Sequence, residues 1–322
     1  MQSLSTLFRV ALLIVASCLA TAAAAAFPDR PIQIVVPFAA GSPPDVLARM
    51  LAEGWKRSGF AEAVVVNQPG AGGSIAVTQV AKAAPDGYTV AIAGDAALLV
   101  NPALYPEQGI SPLTDLAPVS QLIITPTVLV VGKDVPARTV AELVTLARAQ
   151  PGRLSFASAG AGTSSRRNGE LLKQVARLDL LHVPYKASAL PDVVAGRVTM
   201  FFANAANVAP LVAEGRLRAL AVAGQERLAR WPDVPTMSEA GFPQVASLAW
   251  FGLVAPAGTP AALVERLRDE AAKALRDPAS ASRLDALGGS LVLSSPTEFQ
   301  ALIASELPRW RAFVKDVGIQ AD

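Results

Sequence analysis

From Pro31 onward the chain repeats one pattern: a short apolar run, a loop of Gly, Pro and Ser, then a stretch with helical spacing. Strands are predicted over 32–36, 63–66 and 88–93, with helices over 46–55 and 74–83 between them. Short, continuous apolar strands alternating with helices predict an α/β fold whose parallel sheet is covered on both faces. No other feature restricts the possible folds as much.

The rhythm breaks twice. Two apolar runs follow one another over 116–132, around Thr125-Pro126-Thr127, with no helix between them. A second series follows, with helices over 140–149, 164–176, 190–195 and 208–214 and strands over 154–157, 180–183, 198–202 and 218–223. A second helix-free stretch, 231–250, ends in an apolar run over 251–256 that echoes 128–132. Each echoing run precedes a Pro-containing turn and an amphipathic helix, the second of these over 261–275. The chain is thus predicted to cross to a second domain and return. This gives a discontinuous lobe, 27–127 with 250–322, and an inserted lobe, 128–249; 322 residues, 52% of them hydrophobic, suffice for two cores. A last helix near 298–314 is predicted to pack on the first lobe, kinked or split by Pro308.

Residues 1–26 read as a secretory signal: Arg9 is followed by an apolar run and then small residues, with Ala24 and Ala26 placed for cleavage before Phe27. The apolar run is shorter than the ~20 residues of a membrane span. Cys18, the only cysteine, lies inside this segment, and Val15-Ala16-Ser17-Cys18 leaves a lipid-anchored form as the alternative to a soluble periplasmic one. The net charge of +2 has no Lys/Arg block, which excludes a nucleic-acid or anionic-membrane footprint.

In open α/β sheets, ligands sit beyond the carboxyl ends of the strands. After the first strand, the loop holding Phe38, Ala40, Gly41 and Ser42 leads into a helix that Ser42 and Asp45 would cap. Gly41 and Ser42 could offer backbone N–H groups to a carboxylate there. After the second strand, the loop Asn67–Ser74 is Gly-rich but has neither the spacing nor the Lys of a phosphate loop. Gly94, Asp95 and Ala96 end the third strand. In the inserted lobe Ser158, Gly160, Gly162, Thr163 and Ser164 precede Arg166 and Arg167, two cations that oppose the helix dipole unless an anion is present. Tyr185, Lys186 and Asn204 close the set of strand ends.

Enzyme chemistry finds little support. His182 is the only histidine, which removes His-based metal clusters and makes any Ser-His-Asp triad depend on one residue. No metal ligand set, cofactor motif or pair of catalytic acids is predicted.

Several segments resemble one family. They are Val36-Pro37-Phe38-x-x-Gly41-x-x-x-Asp45, Asn67-x-Pro69-Gly70-Ala71-Gly72-Gly73, Ala84-Pro85-Asp86-Gly87-Tyr88-Thr89, Val183-Pro184-Tyr185-Lys186, Pro232-Asp233-Val234-Pro235-Thr236 and Phe251-Gly252-Leu253-x-Ala255-Pro256. Together they are similar to the Bug receptors, the substrate-binding subunits of tripartite tricarboxylate transporters. The resemblance implies a type II periplasmic-binding-protein fold, two α/β lobes joined by two crossover strands, closing on a small carboxylate for delivery to membrane permease subunits. It implies a monomer with no cofactor. A sensor kinase as the docking partner, or a hydrolase on the same scaffold, remain the alternatives.

This chain departs from the family in its loops. Ser42 stands where a second Gly is common, Arg166-Arg167 where His-Leu is common, and Ala187 where Gly usually follows Tyr-Lys. Ala203 stands where an Asp often precedes Asn204. Losing that acid and gaining Arg166 predicts a dicarboxylate over an amino acid. N-terminal sequencing of the exported protein is expected to begin at Phe27; a blocked, lipid-labelled chain starting at Cys18 would show the anchored form instead.

Overall fold

The computed structural model describes residues 27–108, 110–185, 188–246 and 248–319. The predicted signal, Cys18 and Lys186 lie outside the described residues. Strands run β1 Ile32–Val36, β2 Ala63–Asn67, β3 Thr89–Gly94, β4 Leu116–Thr125, β5 Thr127–Gly132, β6 Ser155–Ser158, β7 Leu181–Pro184, β8 Met200–Asn204, β9 Leu217–Ala223, β10 Ala249–Pro256 and β11 Ser290–Leu291. Helices are α1 Pro43–Ser58, α2 Ser74–Ala81, α3 Asn101–Leu104, α4 Val140–Ala149, α5 Ser164–Ala176, α6 Leu190–Val194, α7 Ala205–Ala213, α8 Ala261–Arg276, α9 Pro278–Leu287 and α10 Pro296–Val317.

Two sheets form. The first has the order β11-β4-β10-β3-β1-β2 and the second β7-β6-β8-β5-β9. Both faces of each are covered, which explains the continuous apolar runs. In β1, Ile32, Ile34 and Val36 enter one core while Val35 enters another. In β5, Leu129 and Val131 face one side and Val128 and Val130 the other.

The sheets are mixed, which corrects the expectation of a parallel one. β1 pairs parallel with β2 and β3, but β10 runs antiparallel to β3 and β4, and β5 antiparallel to β8 and β9. The cause is the crossing. β4 ends at Thr125 in the first sheet and β5 begins at Thr127 in the second, while β10 re-enters the first sheet beside both β3 and β4.

α10 is one uninterrupted helix, a second correction. Its start is fixed by Pro296 at the first position and by a Ser295/Glu298 capping box. Pro308 and Ala304 both face solvent, so the carbonyl freed by the missing N–H can turn to water. α9, the π-helical turn Ala96–Val100 and α3 were not foreseen; α9 follows α8 at once and its apolar face is weakly patterned.

The turn into α1 shows what Asp45 does. Pro43 and Pro44 occupy the first two helical positions, and Gly41 takes a left-handed φ of 80°. The Asp45 carboxylate, 2% exposed, accepts the Gly41 N–H at 2.9 Å, the Asn67 amide at 2.9 Å and the Arg49 guanidinium at 2.9 and 3.1 Å. Burial alone pushes this carboxyl up. The bonds from Arg49, Gly41 and Asn67 outweigh it and hold the group below its ordinary value. Ser42 holds the N-cap position as predicted, but its side chain makes no capping bond; its hydroxyl donates to Ala39 O at 2.6 Å.

Because the Asp45 value is depressed, its stabilisation is complete above the ordinary carboxylate range and disappears as pH falls through the folded-state value. Asp45→Asn is expected to cost about 2 kcal/mol at pH 7, and the gap from the unaltered protein should narrow in acid, as read by urea unfolding at pH 7 and pH 3. Phe299 is fully buried, edge-on to Trp250 at 5.4 Å between ring centres, where α10 meets β10. Phe299→Ala is expected to lose about 3–5 kcal/mol in the same measurement.

Candidate functional site

The crossing strands form the floor of a cleft between the sheets. Thr125 pairs with Ala249 in the first sheet, Thr127 with Asn204 in the second, and Phe251 with Gly94. Register thus gathers the ends of β3, β4, β5, β8 and β10 around one cavity of about 260 Å³. Phe38, Ser42, Pro43 and Pro44 line it from the loop before α1, and Gly94, Asp95 and Ala96 from the end of β3. The second sheet contributes Ala159, Thr163, Ser164 and Ser165 before and at the start of α5, Ser188–Leu190 at the start of α6, and Phe201–Asn204 with Asn207 at the start of α7.

The starts of α1, α5 and α7 therefore face the same space. A helix start carries partial positive charge from its unpaired N–H groups and favours an anion. α5 has no acidic residue in its first turn and no side-chain cap. Its hydroxyls are ordered: Thr163 Oγ1 donates to Gly160 O at 2.7 Å and lies 2.8 Å from Ser165 Oγ, which accepts the Ala159 N–H at 3.1 Å. In α7, Asn204 Oδ1 accepts the Ala206 N–H at 2.9 Å. Among the described lining residues Asp95 is the one ionisable side chain, and Arg167 pairs with it. The rest of the wall is largely apolar, with Phe38, Phe201, Phe202, Phe251 and Leu190 prominent.

Of the predicted residues, Phe38, Ser42, Gly94, Asp95, Ala96, Thr163, Ser164 and Asn204 meet in this cleft. The other described ones are not in its lining, and each has a physical reason. Asp45 and the Gly41 N–H bind each other, and the Ser42 N–H donates to Ala39 O at 3.2 Å, so this loop uses its donors internally. Ala40 is exposed. Ser158 is fully buried, with Oγ 2.7 Å from His182 Nε2, so the one Ser–His pair is closed to the cleft. Gly160 accepts from Thr163, and the Gly162 carbonyl accepts from Arg167 at 2.7 Å. Arg166 turns along its own helix to Glu170, 2.8 Å away. Tyr185 donates to Asp192 at 2.5 Å; this bond to the carboxylate holds its phenol above the usual value.

Sequence reasoning missed Thr125, Thr127, Phe201, Phe202, Phe251, Ser165, Ser188 and Asn207. The crossing threonines flank Pro126 in the helix-free stretch already visible in the sequence, and that break was the available signal. Among the described residues no cluster of His, Cys, Asp and Glu could hold a metal ion, and no helix is long and apolar enough to cross a membrane.

Residues 47–319 match the family model described as the tripartite tricarboxylate transporter family receptor. A protein of Pseudomonas sp. (strain P51), described as the UPF0065 protein in the tcbD-tcbE intergenic region, is 39% identical over 300 residues, 92% of this chain and 89% of its own length. BugT of Bordetella pertussis is 34% identical over 295 residues, covering 91% of this chain and 90% of that one. Among solved structures, an R. palustris protein with adipate is 33% identical with a TM-score of 0.84, covering 91% of this chain and 99% of that one. MatC from Rhodopseudomonas palustris with bound malate is 34% identical with a TM-score of 0.81, covering 89% of this chain and all of that one. With two α/β lobes that match these solved structures, the chain belongs to the tripartite tricarboxylate transporter family of receptors, the Bug receptors.

Proposed function

We propose that this receptor works in the periplasm, closing on a small carboxylate and delivering it to the permease subunits of a tripartite tricarboxylate transporter. The observation that carries this reading is the convergence of the starts of α5 and α7 and a set of ordered hydroxyls on a cleft where the one ionisable side chain among the described lining residues is already paired. Such a wall can replace the water shell of a carboxylate with amides and hydroxyls at low local dielectric, where each bond is stronger than in water.

The rest of the wall selects the ligand body. Four phenylalanines and Leu190 suit a methylene chain or a flat ring. Ala203 lies in the lining, and no unpaired acid stands among the described lining residues to meet an ammonium group. Relatives solved with adipate and malate hold diacids. The ligand proposed is therefore an apolar-bodied diacid in preference to an amino acid. This rests on the cleft wall and no longer on Arg166. Catalysis has no support from the Ser158–His182 pair, because nothing in the cleft can reach it.

Calorimetric titration of refolded, ligand-free protein with adipate, malate, glutamate and aspartate is the test. Adipate is expected to bind at least about tenfold more tightly than either amino acid, the discrimination expected from leaving one ammonium unpaired. Tighter binding of glutamate would overturn the ligand assignment. Pull-down of membrane partners with and without the bound acid would show whether the closed form meets a permease or a sensor kinase.

A further inference from the structure

Arg167 is among the largest fully buried side chains of the protein, at 1% exposure. It belongs to α5 of the second-sheet lobe, yet its guanidinium reaches the first. Its guanidinium pairs with Asp95 at the end of β3, donates to Leu248 O at 3.3 Å just before β10, and lies 4.6 Å from the ring centre of Trp310 on α10. From its own lobe it reaches Gly162 O at 2.7 Å. The loop before α5 is pressed against the first lobe in the same way. Ala161 joins the apolar cluster of Ala97 and Leu99, and a Cβ on Gly162 would stand 2.2 Å from Asn101 Oδ1.

Asp95 has a double position. It lines the ligand cleft, and it also lines a separate cavity of about 310 Å³ behind it, where Arg167, Trp250, Trp310, Glu306 and Arg309 form the walls. The ion pair is thus the partition between front cleft and rear cavity. It is assembled from both lobes, so it exists only where the lobes meet.

We propose that Arg167 is a positioning residue for ligand capture: by crossing to Asp95 it neutralises the one acid among the described residues of an anion-binding cleft wall and latches the lobes together. The capture half of this rests on the carboxylate reading of the cleft; the latch half does not. With the lobes apart, Asp95 loses Arg167 and retains the Trp250 N–H of its own lobe at 3.4 Å, and its charge opposes a carboxylate ligand. With the lobes together, the same wall is neutral and desolvated. Closure and acceptance of an acid become one event. Breaking a buried pair from one side leaves an uncompensated charge, whereas replacing both members by neutral groups removes that penalty. The pair can therefore be tested by a double change.

The experiment compares Arg167→Met, Asp95→Asn and the double variant with the unaltered protein, each shown to be folded by circular dichroism. In ligand-free protein, small-angle scattering is expected to give a larger radius of gyration for both single variants, with the double variant less open than either because it leaves no buried charge uncompensated. If Arg167→Met does not fold, Asp95→Asn against the double variant gives the same comparison. Calorimetry with adipate and malate forms the second arm. Arg167→Met should weaken whichever acid binds by on the order of 100-fold, and adding Asp95→Asn should recover most of that loss. Single variants as compact as the original, or a double variant as open as the singles, would overturn the latch. Compact singles cannot arise from failure of the carboxylate reading, because that arm contains no ligand. If neither acid binds the unaltered protein, the carboxylate reading fails and the capture half with it, while the scattering result still decides the latch.

Discussion

The structure depends on how the chain passes between its sheets. A single residue, Pro126, separates the last residue of β4 from the first of β5, and its fixed φ leaves the crossing little freedom. The ladders on either side then dictate what faces the gap: Thr125 against Ala249, Thr127 against Asn204 on one side and Ala223 on the other. Backbone bonds therefore set the cleft floor before any side chain is chosen.

A protein of net charge +2 has no global field with which to collect anions. The local arrangement supplies one without a free cation among the described residues of the cleft wall. The loop before α1 keeps its shape by turning its own donors inward, the Gly41 N–H to Asp45 and the Ser42 N–H to Ala39. The loop before α5 does the same with Thr163 and Ser165. Pre-ordered dipoles of this kind need no reorganisation when a ligand arrives, whereas a flexible lysine would lose rotamer freedom on binding.

Periodicity made most of the fold legible. The helices at 140–149 and 164–176 match the prediction to the residue, and the strands other than β11 to within a few residues, because most of the apolar runs are buried on both faces. Strand direction was not legible, since an antiparallel strand buried on both faces reads like a parallel one. α9 was missed because its apolar face is short and interrupted by Ser and Asp. At the cleft, strand-end reasoning found the backbone positions and missed the residues added by register. Phe251 and Phe201 sit within strands, and only the pairing of strands shows that their rings reach the cavity.

Arg166 and Arg167 show why neighbouring residues cannot be read as one patch. Successive side chains on a helix point about 100° apart, so one guanidinium lies along α5 against Glu170 and the other leaves the lobe altogether. A buried ion pair is weak evidence for stability, because desolvating two charges offsets much of their attraction. Within one rigid lobe, Asp95 and Arg167 could be replaced by apolar groups at little cost. Between two lobes the balance changes: apart, each charge recovers its water, and together, each requires the other. The pair then makes lobe closure conditional on a correctly placed partner. A hydrophobic contact of the same area would hold the lobes together with less regard to register, and would leave the acid-binding wall with no way to change its charge as the lobes close.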